Sequence, residues 1–143
     1  MKILAVWLMA LVMLPATASD LVPSELIGQW LVDPTQQIEF PKECRPMQII
    51  ITPDGKFRDS GGPGHYSYSS KIEVRASTRG YFIDQSRLSH NNLPNCQGLS
   101  ADYVSSHFKP DIYVELEGDR LRYFFWEPES STFLDYHRVS GAP

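Results

Sequence analysis

From Tyr66 to Ala76 the chain alternates with a period of two. Tyr66, Tyr68, Ile72, Val74 and Ala76 fall on one parity, and Ser67, Ser69, Lys71, Glu73 and Arg75 on the other. Only an extended strand puts alternate residues on opposite faces, so this is a half-buried antiparallel strand with one apolar and one charged face. Thr78-Arg79-Gly80 turns it back into a second strand, Tyr81 to Leu88. There Phe82 and Leu88 oppose Tyr81 and Ile83 in parity, so neither face can be assigned to the inside. Asp111 to Glu117 alternates cleanly again, with Ile112, Val114 and Leu116 inward, and Glu117-Gly118-Asp119 turns into a return strand Arg120 to Trp126. A last strand runs from Ser131 to Val139.

The first half has the same grammar. Leu26 to Asp33 is an apolar strand entered after a Pro-Ser-Glu turn, and Met47 to Thr52 is rich in β-branched residues. Pro53-Asp54-Gly55 presets a tight turn into Lys56-Phe57-Arg58. Between these strands, Asp33-Pro34 through Pro46 carries too many prolines and charges for regular pairing and reads as a long ordered loop. Ser60-Gly61-Gly62-Pro63-Gly64 lacks the Gly-Lys-Ser/Thr ending of a phosphate cradle and reads as a mobile loop or a sharp barrel corner. His90 to Gly98 is a second irregular loop. Ser100 caps a short helix reaching Phe108, which Lys109-Pro110 stops. Seven or eight strands joined by short turns, with one short helix, define an all-β single antiparallel up-and-down β-barrel or curled meander.

Residues 1–18 read as a signal peptide: Met1-Lys2 is positive, Ile3 to Leu14 is apolar, and Pro15-Ala16-Thr17-Ala18 offers small residues for cleavage after Ala18. The apolar run is short of the roughly 20 residues that span a bilayer. Residues 19–143 suit a single domain. The chain carries a net charge of −4, with charges scattered along it, which disfavours nucleic-acid or anionic-membrane binding. An even pair of cysteines, Cys44 and Cys96, in an exported chain predicts a disulfide and a periplasmic or secreted location.

Three stretches carry a resemblance: Gly28-x-Trp30 in the first strand, Tyr136-His137-Arg138-Val139 in the last, and the hairpin Leu116-Glu117-Gly118-Asp119-Arg120-Leu121. Together they resemble the lipocalin-like (calycin) barrels, in an exported bacterial form. The resemblance implies that Trp30 packs against Arg138 to close one end of the barrel, with Gly28 making room, so these three are structural. It further implies an interior lined by Tyr66, Tyr68, Ile72, Val74, Phe124 or Phe125, Trp126 and Tyr136. Such a lining would hold a small hydrophobic ligand, with tyrosine hydroxyls as polar handles, unless the barrel is filled by its own side chains.

No other pattern rivals it. His65, His90, His107 and His137 show no metal-ligand spacing, and neither a metal nor a cofactor is expected. Asp102, Ser105, Ser106 and His107 contain the letters of a hydrolase triad, but adjacent helical side chains diverge, so Ser106 and His107 are not expected to bond and no enzyme is predicted. Glu115, Glu117, Asp119, Glu127 and Glu129 form an acidic group, read as a solvated edge or a rim for a basic partner. The expected function is an exported lipocalin-like protein binding a small apolar ligand. The alternative is a periplasmic protein-interaction module, such as a hydrolase inhibitor or immunity protein, using the glycine loop, the Cys96 loop and the acidic rim.

Overall fold

A computed structural model describes residues 22–107, 111–124 and 131–140. The expected signal peptide, Phe125, Trp126, Glu127 and Glu129 lie outside those residues. Eight strands follow one another around a closed barrel: β1 (Gly28–Val32), β2 (Gln48–Ile51), β3 (Lys56–Ser60), β4 (Ser67–Ala76), β5 (Tyr81–His90), β6 (Asp111–Glu117), β7 (Arg120–Phe124) and β8 (Phe133–Arg138). Every neighbouring pair is antiparallel, and β8 returns to β1 through the pairs Trp30–Arg138, Leu31–His137 and Val32–Tyr136. Closure removes the open edges a meander would leave.

The alternation in β4 holds as read: Tyr68, Ser70 and Ile72 are buried, while Lys71, Glu73 and Arg75 are exposed. The mixed faces of β5 have a local cause. Ser69 pairs with Ser89 but Lys71 pairs with Ser86, so β5 holds one extra residue, and Arg87 in that bulge has φ +52°. The bulge inverts the parity, so that Ile83 and Gln85 before it and Leu88 after it all contribute to the interior. Lys56, Arg58, Lys71, Arg75 and Arg120 stand exposed on the outer face, where a lipid-facing barrel would carry apolar residues. Among the described residues, no helix is long and apolar enough to cross a membrane.

The loop after β1 contains a helix that the sequence reading missed, α1 (Pro34–Gln37). Asp33 Oδ1 accepts from the Thr35 amide at 2.8 Å and Pro34 opens the first turn, both ordinary helix-start signals. Four residues are too few to show apolar periodicity, which is why the segment reads as a loop. Gln36 pins it down by accepting from the Asp135 amide at 2.6 Å. The second helix, α2 (Ala101–Ser106), is capped by Ser100 as expected.

Cys44 and Cys96 form the predicted disulfide, with Cα atoms 5.1 Å apart. The glycine loop is tied to it. Gly62 has φ +109°, and a Cβ there would lie 2.7 Å from the Glu43 carbonyl oxygen. The loop is therefore a packed corner, and no larger residue fits where it meets the stapled segment.

Candidate functional site

One end of the barrel is closed by the N-terminal segment. Val22, Leu26 and Trp30 are fully buried, and Trp30 Nε1 donates to the Leu26 carbonyl at 3.1 Å. Arg138 stacks on this plug with its Cζ 4.2 Å from the Trp30 ring centroid. Its Nη1 and Nη2 donate to the carbonyls of Ile27 and Glu25 at 2.5 and 2.6 Å, and its Nε reaches Asp119 at 3.2 Å. A Cβ on Gly28 would lie 2.9 Å from Arg138 Nη1, so glycine leaves the guanidinium its place. Gly28, Trp30 and Arg138 thus act together as a structural closure.

At Tyr66, α2 forms a lid. Ala101 and Val104 pack on the core, and the Tyr66 hydroxyl lies 3.1 Å from Ser105 Oγ. Tyr66, Tyr68, Ile72 and Tyr136 are buried in the central cluster, with Val74 packed against it. Those five predicted lining residues are brought together. Phe124 is not among them. Val114 pairs with Tyr123, and Tyr113 with Phe124, so Tyr123 shares the inward face with Val114 while Phe124 points outward. Four consecutive aromatic residues, 123–126, offer no alternation from which to choose the inward one. Outside, Phe124 joins an aromatic ladder across β5 to β8: Phe82–Tyr113 at 4.9 Å, Tyr113–Phe124 at 5.5 Å and Phe124–Phe133 at 6.0 Å between centroids. Trp126, the remaining predicted lining residue, falls outside the described residues.

The interior also holds polar residues that a search for apolar lining passes over. Register carries the inward face from Ile49 to Asp59 to Tyr68, and Asp59 is among the inward residues. Burial raises its carboxyl to about 7, against hydrogen bonds from the Ser60 backbone and the Tyr68 side chain that lower it. Burial also raises the Tyr68, Tyr123 and Tyr136 hydroxyls, and the Asp59 charge adds to the rise at each. Beside them, Ser70 Oγ donates to Gln85 Oε1 at 2.7 Å. Gln85 lies close enough to the Tyr68 hydroxyl to stabilise its charged form, yet its Nε2 makes no hydrogen bond of ordinary length and angle. A carboxyl, three phenols, a hydroxyl and an amide with a spare donor therefore meet inside an otherwise apolar barrel. Ser70 shares the parity of Tyr68 and Ile72 in β4, the one sequence signal for this centre, and it went unused because serine is usual on a solvated face.

The triad letters resolve differently from expectation. His107 leaves the helix with φ −102° and ψ 6°, so its ring folds back on Tyr103 with 4.2 Å between centroids. This brings His107 Nδ1 to 3.0 Å from Ser106 Oγ, a contact that regular helical geometry would not allow. The contact is a helix end, not a nucleophile and base. Nδ1 lies 2.8 Å from the Tyr103 carbonyl oxygen, which requires a proton on Nδ1, and Ser106 donates its own proton to the same oxygen at 2.8 Å. No lone pair is left to take the serine proton.

The predicted acidic rim is interleaved with arginines. Glu115 meets Arg79 at 3.5 Å, Glu117 pairs in register with Arg120, and Asp119 holds Arg138. Asp135, buried on β8, binds Arg122 at 2.8 Å and Arg120 at 3.1 Å. Among the described residues, no three histidine, cysteine or acidic side chains gather where a metal ion could be held. Compared with protein-family models, with characterised proteins and with solved structures, the chain matches none.

Proposed function

We propose that this chain is an exported, non-enzymatic, lipocalin-like binding protein whose barrel takes a small, mostly apolar molecule bearing one hydrogen-bond acceptor. The observation that carries this reading is Gln85 Nε2, a donor enclosed in the barrel that has the Tyr68 hydroxyl nearby but makes no hydrogen bond of ordinary length and angle. Leaving such a donor poorly met costs up to about 1–3 kcal/mol, and enclosing the Asp59 carboxyl adds the desolvation that raises it to about 7. A core that served packing alone would place apolar groups there. A ligand carbonyl or hydroxyl at Gln85 satisfies the donor, the rings of Tyr68, Tyr123 and Tyr136 supply apolar and polarisable contact, and Asp59 offers a second polar anchor. Entry requires α2 to lift from Tyr66, and Gly28, Trp30 and Arg138 hold the other end shut.

The test is native mass spectrometry of the protein purified from its own envelope, followed by denaturation to release any bound compound. A stoichiometric low-mass adduct that is lost in Ser70→Ala/Gln85→Leu supports the reading. A bare protein mass, with no small molecule raising its melting temperature in a screen of acceptor-bearing hydrophobic compounds, overturns it.

A second reading rests on a separate observation. Leu93, Leu99 and Tyr103 are 41, 40 and 51% exposed and cluster within the Cys96 loop and α2. Rigid, apolar and aromatic contacts on a stapled loop suit a protein interface of the inhibitor or immunity type. A stable protein partner in the same spectra, lost in Leu93→Asp/Tyr103→Asp, would favour it.

A further inference from the structure

Asp59 is treated unlike the buried carboxylate of β8. Asp135, on the outer side of that strand, is neutralised by Arg120 at 3.1 Å and Arg122 at 2.8 Å. Asp59 lies on the inward face of β3, opposite Tyr68 in register, and among the described residues no lysine or arginine pairs with it. The hydrogen bonds that stabilise its charge come from the Ser60 backbone and the Tyr68 side chain. An asparagine would accept hydrogen bonds there without enclosing a charge, so packing alone gives no reason for an acid. Asp59 and Tyr123 also keep part of their surface uncovered although the strands close around them, which leaves space beside the carboxyl.

The rings around Asp59 indicate what would fill that space. Its charge acts on the hydroxyls of Tyr68, Tyr123 and Tyr136, so phenols from β4, β7 and β8 converge on it. Tyr123 and Tyr136 stand 6.2 Å apart between centroids, and Phe57 stacks on Tyr68 at 6.0 Å. A carboxylate among aromatic rings suits an organic ammonium, which gains an ion pair from the one and cation–π contact from the others. Other occupants leave a mismatch. An anion is repelled, an alcohol leaves the charge unneutralised, and a metal ion lacks ligands, since no three acidic, histidine or cysteine side chains gather among the described residues. Arg58, next in the chain, is exposed on the outer face, and His90, opposite Tyr68 in register, lies with its ring 5.6 Å from that of Tyr66. Neither is among the groups that set the Asp59 titration.

We propose that the barrel interior selects a hydrophobic organic amine in its protonated form, with the ammonium paired to Asp59 among the rings of Tyr68, Tyr123 and Tyr136 and an acceptor oxygen at Gln85. The inference rests on the interior being a ligand site, as proposed above, and adds the charge that the ligand carries.

The test is calorimetric titration of the intact protein with 4-methoxyphenethylamine and, as its neutral match, 4-methoxyphenethyl alcohol. Both carry an ether oxygen for Gln85, and the amine keeps its proton from pH 5.5 to pH 8. At pH 8 the amine should bind saturably, at least about tenfold tighter than the alcohol. Asp59 titrates at about 7 in the empty protein, so at pH 5.5 its carboxyl holds a proton and the amine's affinity should fall at least about tenfold. Asp59→Asn should bring amine and alcohol to equal affinity and remove that pH dependence, with His90 still present to report any share of its own. An alcohol bound as tightly as the amine overturns the inference while leaving the interior a site for neutral ligands. A preference for the amine that survives in Asp59→Asn overturns it too, by placing the amine elsewhere on this acidic chain. If neither compound binds, the inference fails, and the native mass of the untreated protein separately decides whether the interior holds another ligand.

Discussion

Arg138 and Trp30 are paired in register on β8 and β1, with the guanidinium 4.2 Å above the indole ring and its outer nitrogens bonded to the carbonyls of Ile27 and Glu25. One side chain thereby joins the last strand, the first strand and the segment that plugs the barrel. Arg138→Ala leaves two carbonyls unmet and an uncovered ring, and should destabilise by about 1–3 kcal/mol. Lysine cannot reproduce the fork, so Arg138→Lys should recover less than half of that loss. Chemical denaturation of the two variants checks both figures.

Asp59 links the interior to pH. Its carboxyl titrates at about 7 in the folded barrel and near 3.9 when exposed on unfolding. Between those values the native state keeps a proton that the unfolded state has released. Stability from this group is therefore complete below about pH 4 and falls as pH rises toward 7, by on the order of 4 kcal/mol as an upper bound. Asp33 and Asp84 are shifted the other way, by hydrogen bonds from Thr35 and Arg75, so their contribution is lost only on acidification below this window. Melting temperatures from pH 4 to 8 should decline in the parent protein, and the decline should be largely removed in Asp59→Asn.

The barrel was legible where one face is wet and the other dry. Parity in β4 and β6 assigned the inward residues, and the Gly28-Trp30-Arg138 resemblance anticipated how the ends of the chain meet. Legibility failed wherever that contrast is missing. The β5 bulge at Arg87 hides a parity inversion that no composition reveals, and consecutive aromatic residues concealed that Tyr123 faces in while Phe124 faces out. The polar centre went unread because Asp59, Ser70 and Gln85 look like surface residues in sequence. Only strand pairing places them together.

The staple offers a prediction with two independent handles. Closing a loop of this length by Cys44–Cys96 should contribute about 4 kcal/mol in the chain-entropy picture. Cys44→Ser/Cys96→Ser should lose most of that, measured by denaturant unfolding without reductant. Gly62→Ala attacks the same corner without touching sulfur. Its Cβ would meet the Glu43 oxygen at 2.7 Å and the Cys44 carbonyl carbon at 2.9 Å, on a backbone that disfavours any side chain. A loss of at least about 2 kcal/mol is expected. A silent Gly62→Ala would mean that the glycine loop does not rest on the stapled segment.

Gln85 separates packing from binding in a single measurement. Gln85→Leu alone would strand the Ser70 hydroxyl that now donates to Gln85 Oε1 at 2.7 Å, so the informative variant is Ser70→Ala/Gln85→Leu. It removes a poorly satisfied donor and the hydroxyl that depends on the same amide, leaving apolar groups in their place. If the polar centre exists for a ligand, the empty protein should gain about 1 kcal/mol of stability from the change while losing the low-mass adduct. Buried polar groups that serve packing would behave in the opposite way, with stability falling because a satisfied network had been broken. Melting temperature and native mass, read on the same preparation, distinguish the two.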